Sequence, residues 1–154
     1  MLVKNSSYMY EMIRTELTDI LGAEYVKTEN ADRFGHSVDY YWIPEMWHDR
    51  GMETPKPDFV CYPATTEEVS RIMKIANQYK IPVTPWGGGS GSQGGALPVY
   101  GGIIMDMKRM NKFYGVDTES LTVTCQTGIN AKHESTGICD RLCRIHYADR
   151  TVSQ

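Results

Sequence analysis

The fold is decided by the segment 58–95, which reads DFVCYPATTEEVSRIMKIANQYKIPVTPWGGGSGSQGG. Its first residues, 58–62, are mostly apolar and predict a short strand. A threonine at position 65 with a glutamate three residues later forms a capping box, and apolar residues then recur at helical spacing over 66–80. Residues 81–84 predict a second strand. Strand, helix and strand in this order predict a βαβ unit, with the glycine-rich residues directly after it.

Further elements are predicted on both sides of this unit. Apolar residues at spacings of three and four predict a helix over 8–21, and Gly22 favours its end there. Residues 23–56 are rich in aromatic residues and punctuated by proline and glycine, so we expect an irregular segment. Residues 103–106 predict another strand, and 112–126 predict a β-hairpin around a turn-forming centre. These elements indicate a mixed α/β (α+β) fold, built from a small βαβ sheet and a hairpin.

The glycine-rich loop, residues 85–95, is the most informative feature of the sequence. Six of its eleven residues are glycine, and ordering so much glycine costs backbone entropy that the loop must recover. Consecutive glycine amides can converge into a concavity for an anion, and serine hydroxyls can donate to phosphate oxygens. We therefore predict that a diphosphate is bound by Pro85, Trp86, Gly87, Gly88, Gly89, Ser90, Gly91, Ser92, Gln93, Gly94 and Gly95.

Other interpretations of the glycine-rich loop are a flexible linker, a P-loop and a Rossmann fingerprint. Strands on both sides of the loop disfavour a linker. A P-loop ends in a lysine, and no lysine follows the loop before Lys108. Residues 89–94 do match G-x-G-x-x-G, but a Rossmann fingerprint must open a helix, and Pro98 with nearby glycines forbids a helix over 96–102. Loop amides, rather than a helix dipole, are therefore expected to hold the phosphates.

Composition and charge narrow the function classes. The chain has 154 residues, of which 41% are hydrophobic and 23% charged, as in an ordinary globular domain. A formal net charge of −3 provides no basic field for nucleic acid or an anionic membrane. No stretch approaches the ~20 apolar residues of a membrane span, and charged residues interrupt the segment 1–21, so no signal peptide is predicted. We expect a cytoplasmic protein with no nucleic-acid partner.

The four cysteines are expected to be free thiols, because no secretion signal is predicted. Cys61 and Cys125 lie in apolar, strand-like contexts and are expected to be buried. The weak candidates for a metal site, whose spacing fits no known zinc pattern, are His133, Cys139, Cys143 and His146. We therefore assign no metal ligand.

Five short motifs over 57–130 occur in an order and spacing that is specific when they are taken together. They are Pro57-Asp58-x-Val60-x-x-Pro63-x-Thr65-x-Glu67-Glu68-Val69, Ile81-Pro82-Val83, Pro85-x-Gly87-Gly88-Gly89-Ser90, Gly102-Ile103-Ile104-Met105-Asp106-Met107 and Gln126-Thr127-Gly128-Ile129. In this arrangement the chain resembles the FAD-binding domain of the vanillyl-alcohol oxidase / para-cresol methylhydroxylase (PCMH) superfamily. The branch that it resembles contains glycolate oxidase flavin subunits, D-lactate dehydrogenases and alkyl-dihydroxyacetone-phosphate synthases.

The resemblance implies a PCMH-type FAD-binding domain whose glycine-rich loop wraps the FAD pyrophosphate. Some covalent relatives attach the flavin to a histidine of this loop; the matching position here is Gly89, so non-covalent FAD is implied at this point. His36 lies elsewhere and is expected to be a surface or packing histidine. The implied activity of the complete enzyme is oxidation of a 2-hydroxy acid or a similar small alcohol. The alternatives are a non-catalytic fragment or subunit of a flavoprotein, or part of an alkyl-dihydroxyacetone-phosphate synthase-like transferase.

The resemblance also divides the chain into three segments. Residues 1–56 form an N-terminal helix and an aromatic-rich segment, 57–130 form the first FAD-binding subdomain, and 131–154 form a tail that matches nothing in the family. Because neither the family's substrate-binding domain nor its catalytic residues are recognised, we expect a truncated product, or a subunit whose partner chain supplies the missing half. We expect the chain alone to be inactive, and its tail from about residue 135 to be loosely packed.

Overall fold

A four-stranded mixed sheet forms the centre of the protein, in a computed structural model that describes residues 7–117, 119–120 and 122–129. The strands are β1, Val26–Lys27; β2, Phe59–Cys61; β3, Val83–Trp86; and β4, Ile103–Asp106. Their order across the sheet is β1-β2-β4-β3. β1 is antiparallel to β2, whereas β2, β4 and β3 run parallel. The carboxyl ends of β2, β4 and β3 therefore meet at one edge of the sheet.

The described residues contain four α-helices. They are α1, Ser7–Leu21; α2, Asn30–Gly35; α3, Trp42–Asp49; and α4, Thr66–Tyr79. The two long helices, α1 and α4, pack against the central strands. The main core between helices and strands contains Ile13, Leu17, Leu21, Val26, Phe59, Cys61, Ile72, Ile75, Ala76, Ile81, Ile103 and Met105. Within the described residues, no helix is long and apolar enough to cross a membrane.

A second, smaller apolar cluster lies on the opposite face of the sheet. Side chains alternate between the two faces along a strand, so the neighbours of the core residues in β2 and β4 point away from the helices. The buried members of this cluster are Val60, Tyr62, Trp86 and Ile104, and Ala96 packs against them. Both faces of the sheet are thus covered, as expected for parallel strands.

The predicted βαβ unit is confirmed, with one strand inserted into it. β2 and β3 do not pair with each other, because β4 lies between them: Ile103 is opposite Phe59 on one side and Val83 on the other. β3 forms the sheet edge, where Pro85 is tolerated. This strand was predicted at 81–84 and begins two residues later, because the Ile81 N–H still donates to the Ala76 carbonyl at 2.8 Å and closes the end of α4.

The ends of both long helices agree with the sequence prediction. Gly22 follows α1 with φ +92° and donates its N–H to the Thr18 carbonyl at 2.7 Å. At the start of α4, the Thr65 hydroxyl accepts the Glu68 N–H at 3.2 Å. The Glu68 carboxylate reaches back to the N–H of Ala64, at 2.7 Å, rather than to that of the capping threonine. The capping box is therefore present, with its second hydrogen bond displaced by one residue.

The expectation that 23–56 is irregular is wrong for much of that segment. It contains a 3₁₀ turn at Ala23–Tyr25, strand β1, and helices α2 and α3. Pro44 is tolerated because it is the third residue of α3, where a backbone N–H has no partner inside the helix. Helices of six and eight residues are too short to show a clear period of 3.6 in the sequence.

The predicted hairpin is confirmed, whereas the prediction for one of its cysteines is wrong. β5, Phe113–Asp117, pairs with β6, Thr122–Cys125, as a separate two-stranded antiparallel sheet. All four residues of β6 are exposed, so Cys125 is exposed instead of buried, while Cys61 is buried as expected. The apolar and β-branched residues of β6 led to the prediction of burial, but no described element packs over this strand. The tail from about residue 135 lies outside the described residues.

Removal of the helix cap should destabilise the protein measurably. We expect Thr65→Ala to lower the free energy of unfolding by about 1 kcal/mol, because the Glu68 N–H loses its acceptor. The measurement is urea unfolding followed by far-UV circular dichroism. Thr66→Ala is the matched control: Thr66 is the exposed first residue of α4 and caps nothing. Equal effects of the two substitutions would contradict the capping role.

Candidate functional site

The glycine-rich loop lies at the edge of the sheet where the parallel strands end. Its first two residues, Pro85 and Trp86, belong to β3, and the remainder crosses to the start of β4. Residues 96–102 form turns and no helix, which confirms that the Rossmann arrangement is absent from this connection. Ligands of open sheets with parallel strands bind outside the carboxyl ends of the strands. The fold therefore places the loop where a ligand is expected.

The inner side of the loop packs on two aromatic rings, Trp86 and Tyr41, which we call the aromatic platform. Gly89 has φ +63°, and a Cβ there would lie 2.5 Å from the Trp86 ring. Gly94 has φ +76°, and a Cβ there would lie 3.1 Å from the Tyr41 ring. The N–H of Tyr40 donates to the Gly89 carbonyl at 2.9 Å. These two glycines are therefore required for the shape of the loop itself.

The outer side of the loop is open. A Cβ at Gly87, Gly88 or Gly95 would meet no atom within 4 Å, and all three residues are exposed. Their backbone is thus free of side chains on the solvent side, so an anion could approach the amides to hydrogen-bond distance. Ser90 and Ser92 are exposed beside them. The residues present fit a diphosphate that is held by amides and hydroxyls.

Beneath the loop lies a carboxylate that no sequence pattern singles out. Asp39 is only 4% exposed, and its Oδ1 accepts the N–H of Tyr41 at 3.0 Å. Its Oδ2 is buried and has no hydrogen-bond partner among the described residues. This oxygen lies 3.7 Å from the place where a Cβ on Gly91 would be. The segment 39–41 therefore contacts the loop at three of its glycines.

His36 and Asp106 form a largely buried pair beside the ring of Trp86. The His36 Nε2 lies 3.1 Å from Asp106 Oδ2, and its Nδ1 lies 2.8 Å from the Asp32 carbonyl. The ring also packs edge-on against Trp86, with centroids 4.9 Å apart. Lys108 approaches the same carboxylate oxygen at 3.6 Å but is largely exposed. His36 is thus a packing histidine, as expected, and it supports the aromatic platform from below.

The surroundings of His36 favour its charged form. Burial alone lowers the pKa of this imidazole, but the hydrogen bonds to Asp106 and to the Asp32 carbonyl outweigh burial and leave the pKa raised above 6.5. Both ring nitrogens face acceptors, so only the imidazolium can donate to both. Asp106 ends β4 between β2 and β3, and this position at the end of an apolar run is the signal that could have identified it.

The raised pKa of His36 predicts a pH dependence of stability. The ion pair contributes stability that is fully present below the unfolded-state pKa of about 6.5, and this contribution is lost as the pH rises through the folded-state pKa. We expect the free energy of unfolding to fall over this range, and His36→Gln to remove that part of the decline. Urea unfolding across this pH range measures the decline in the free energy of unfolding. The exposed-histidine variant His48→Gln is the control. A wild-type profile retained in His36→Gln would contradict the assignment.

Metal binding finds no support in the part of the chain that the structure describes. No group of three or more histidine, cysteine, aspartate or glutamate side chains in those residues is arranged to hold a metal ion. The weak candidates at 133–146 lie outside the described residues.

The sequence matches a known family of cofactor-binding domains. Residues 57–133, half of the 154-residue chain, match the family described as FAD binding domain. The glycolate oxidase subunit GlcD of Bacillus subtilis is 32% identical over 121 residues, which cover 76% of this chain and 23% of that protein. A D-lactate dehydrogenase of Anaerostipes hadrus is 39% identical over 74 residues, which cover 48% of this chain and 16% of that protein.

Solved structures agree with the sequence comparison. An alkyldihydroxyacetonephosphate synthase matches with a TM-score of 0.75 and 27% identity, over 86% of this chain and 25% of that one. p-Cresol methylhydroxylase matches with a TM-score of 0.67 over 88% of this chain and 25% of that one; its 18% identity shows the fold alone. The chain spans a quarter or less of the length of each of these four proteins. Because the family match covers half of the chain and the PCMH-type fold agrees with it, the chain belongs to the family of FAD-binding domains.

Proposed function

We propose that the glycine-rich loop, Pro85 to Gly95, binds the pyrophosphate of FAD without a covalent bond. One observation carries this proposal: the loop presents an open, side-chain-free backbone at the carboxyl ends of three parallel strands, while its other side is fixed on the aromatic platform. Backbone amides arranged in this way stabilise phosphate charge without a helix or a lysine. The loop contains no histidine, which supports non-covalent binding at this point.

We further propose that the chain is the N-terminal part of an FAD-linked oxidoreductase that oxidises a 2-hydroxy acid or a similar small alcohol. The names of the relatives, a glycolate oxidase subunit and D-lactate dehydrogenases, support this substrate class. When bound, FAD supplies the hydride acceptor. The contribution of this chain is to bind the cofactor and orient it, and the remainder of a complete enzyme, or a partner chain, supplies the substrate site.

Two alternatives to the oxidoreductase are also proposed. The similarity to an alkyldihydroxyacetonephosphate synthase favours a transferase that uses the same flavin domain. The other alternative is a non-catalytic fragment or subunit of a flavoprotein. Anaerobic addition of D-lactate or glycolate separates the classes when the FAD-loaded chain is assayed together with the segment or partner chain that supplies the substrate site: bleaching of the flavin absorbance supports the oxidoreductase, and an unchanged spectrum supports either alternative.

The phosphate role of the loop is tested best at Gly88. A Cβ at this position would meet no protein atom, so we expect Gly88→Val to leave the melting temperature unchanged. It should nevertheless weaken FAD binding about tenfold or more, because the side chain would occupy the surface that the phosphates approach. Titration of the purified chain with FAD, followed by flavin fluorescence, gives the affinity. Ser90→Ala should weaken binding less, since it removes a single hydroxyl.

Gly35→Ala is the matched control for this test. Gly35 ends α2, and a Cβ there would also meet no atom within 4 Å, but it lies outside the loop. We expect no change in its FAD affinity. Gly89→Val is a poorer test than Gly88→Val, because the Trp86 ring and the positive φ would disturb the loop before any ligand is considered. Unchanged FAD affinity in Gly88→Val would contradict the proposal and favour the linker interpretation.

A further inference from the structure

Asp39 Oδ2 destabilises the folded chain, because it is buried and has no hydrogen-bond partner among the described residues. A buried carboxylate oxygen needs a donor, and leaving it without one is more costly than leaving a neutral amide in the same state. Asp39 Oδ2 is buried and has no partner among the described residues, although the Oδ1 of the same carboxylate is satisfied. Other buried carboxylates of the chain have their partners: Asp58 Oδ2 accepts the N–H of Gly102 at 2.9 Å.

The position of Asp39 indicates where the missing donor lies. The oxygen is buried, and the place of a Cβ on Gly91 lies 3.7 Å from it, so Gly91 is a loop residue next to this oxygen. The loop is already joined to this segment by the hydrogen bond from Tyr40 to Gly89, two residues before Gly91. We therefore take the N–H of Gly91 as the candidate donor, which a rearrangement of the loop would bring to hydrogen-bond distance.

We propose that Asp39 is a positioning residue for the cofactor loop, and that its free oxygen accepts the N–H of Gly91 when the pyrophosphate of FAD is bound. This inference rests on the proposed function. In the free protein this oxygen has no partner among the described residues, which lowers the stability of the fold. In the bound protein the same oxygen fixes the central glycine of the loop, so its neighbouring amides are held toward the phosphates. Asp39 thus lowers the stability of the free chain and raises its affinity for FAD.

Asp39→Asn distinguishes a positioning role from a structural one, because the two roles predict opposite changes in the melting temperature of the free chain. The asparagine Oδ1 still accepts the Tyr41 N–H, while a neutral amide replaces the free oxygen. We expect the melting temperature of the free chain to rise by about 2–4 °C, because an unpaired buried charge is removed. We expect FAD affinity to fall about tenfold, because the new amide donor faces the Gly91 N–H instead of accepting it. A residue with a merely structural role would lower the melting temperature.

Asp58→Asn is the matched control, at a buried carboxylate whose partner is present and which lies at the opposite ends of the strands. It should lower the melting temperature and leave FAD affinity unchanged. A lower melting temperature in Asp39→Asn, failure of that variant to fold, or unchanged FAD affinity would overturn the role of Asp39 alone. Absence of FAD binding by the wild-type chain would instead contradict the proposed function, so the two failures are distinguishable.

Discussion

The contact between Trp86 and Gly89 is the constraint on which the rest of the site depends. Trp86 ends β3, is buried in the apolar cluster on the second face of the sheet, and has the loop glycine directly over its ring. Because no Cβ fits between ring and backbone, the chain must turn here with positive φ. The edge of the sheet thereby fixes the first half of the loop, and His36 holds the same ring from the other side.

The glycines of the loop serve two different physical requirements. Gly89 and Gly94 allow close packing and positive φ on the inner side, where a side chain would collide with protein. Gly87, Gly88 and Gly95 meet no such obstacle, so packing does not explain them. Their presence fits the proposed approach of a diphosphate from outside. On that proposal the glycine-rich segment is part scaffold and part binding surface, and the distinction is visible only in three dimensions.

Local signals predicted the regular elements, and contacts between distant residues could not be predicted. The helices over 8–21 and 66–80 and the strand at 103–106 follow from periodicity, capping and apolar runs, which act within a few residues of the chain. The insertion of β4 between β2 and β3, and the placement of 39–41 beneath the loop, depend on residues up to several tens of positions apart. For that reason the sequence located the loop at 85–95 but not Asp39 or the pairing of His36 with Asp106.

The central position of β4 has a consequence for the order of folding. β4 is the last strand of the sheet in the chain, yet among the described residues it is the strand that pairs with both β2 and β3. The backbone groups with which β2 and β3 face β4 therefore find their strand partners only after the chain has been synthesised through Asp106. The sheet must consequently close late, around the strand that the chain supplies last.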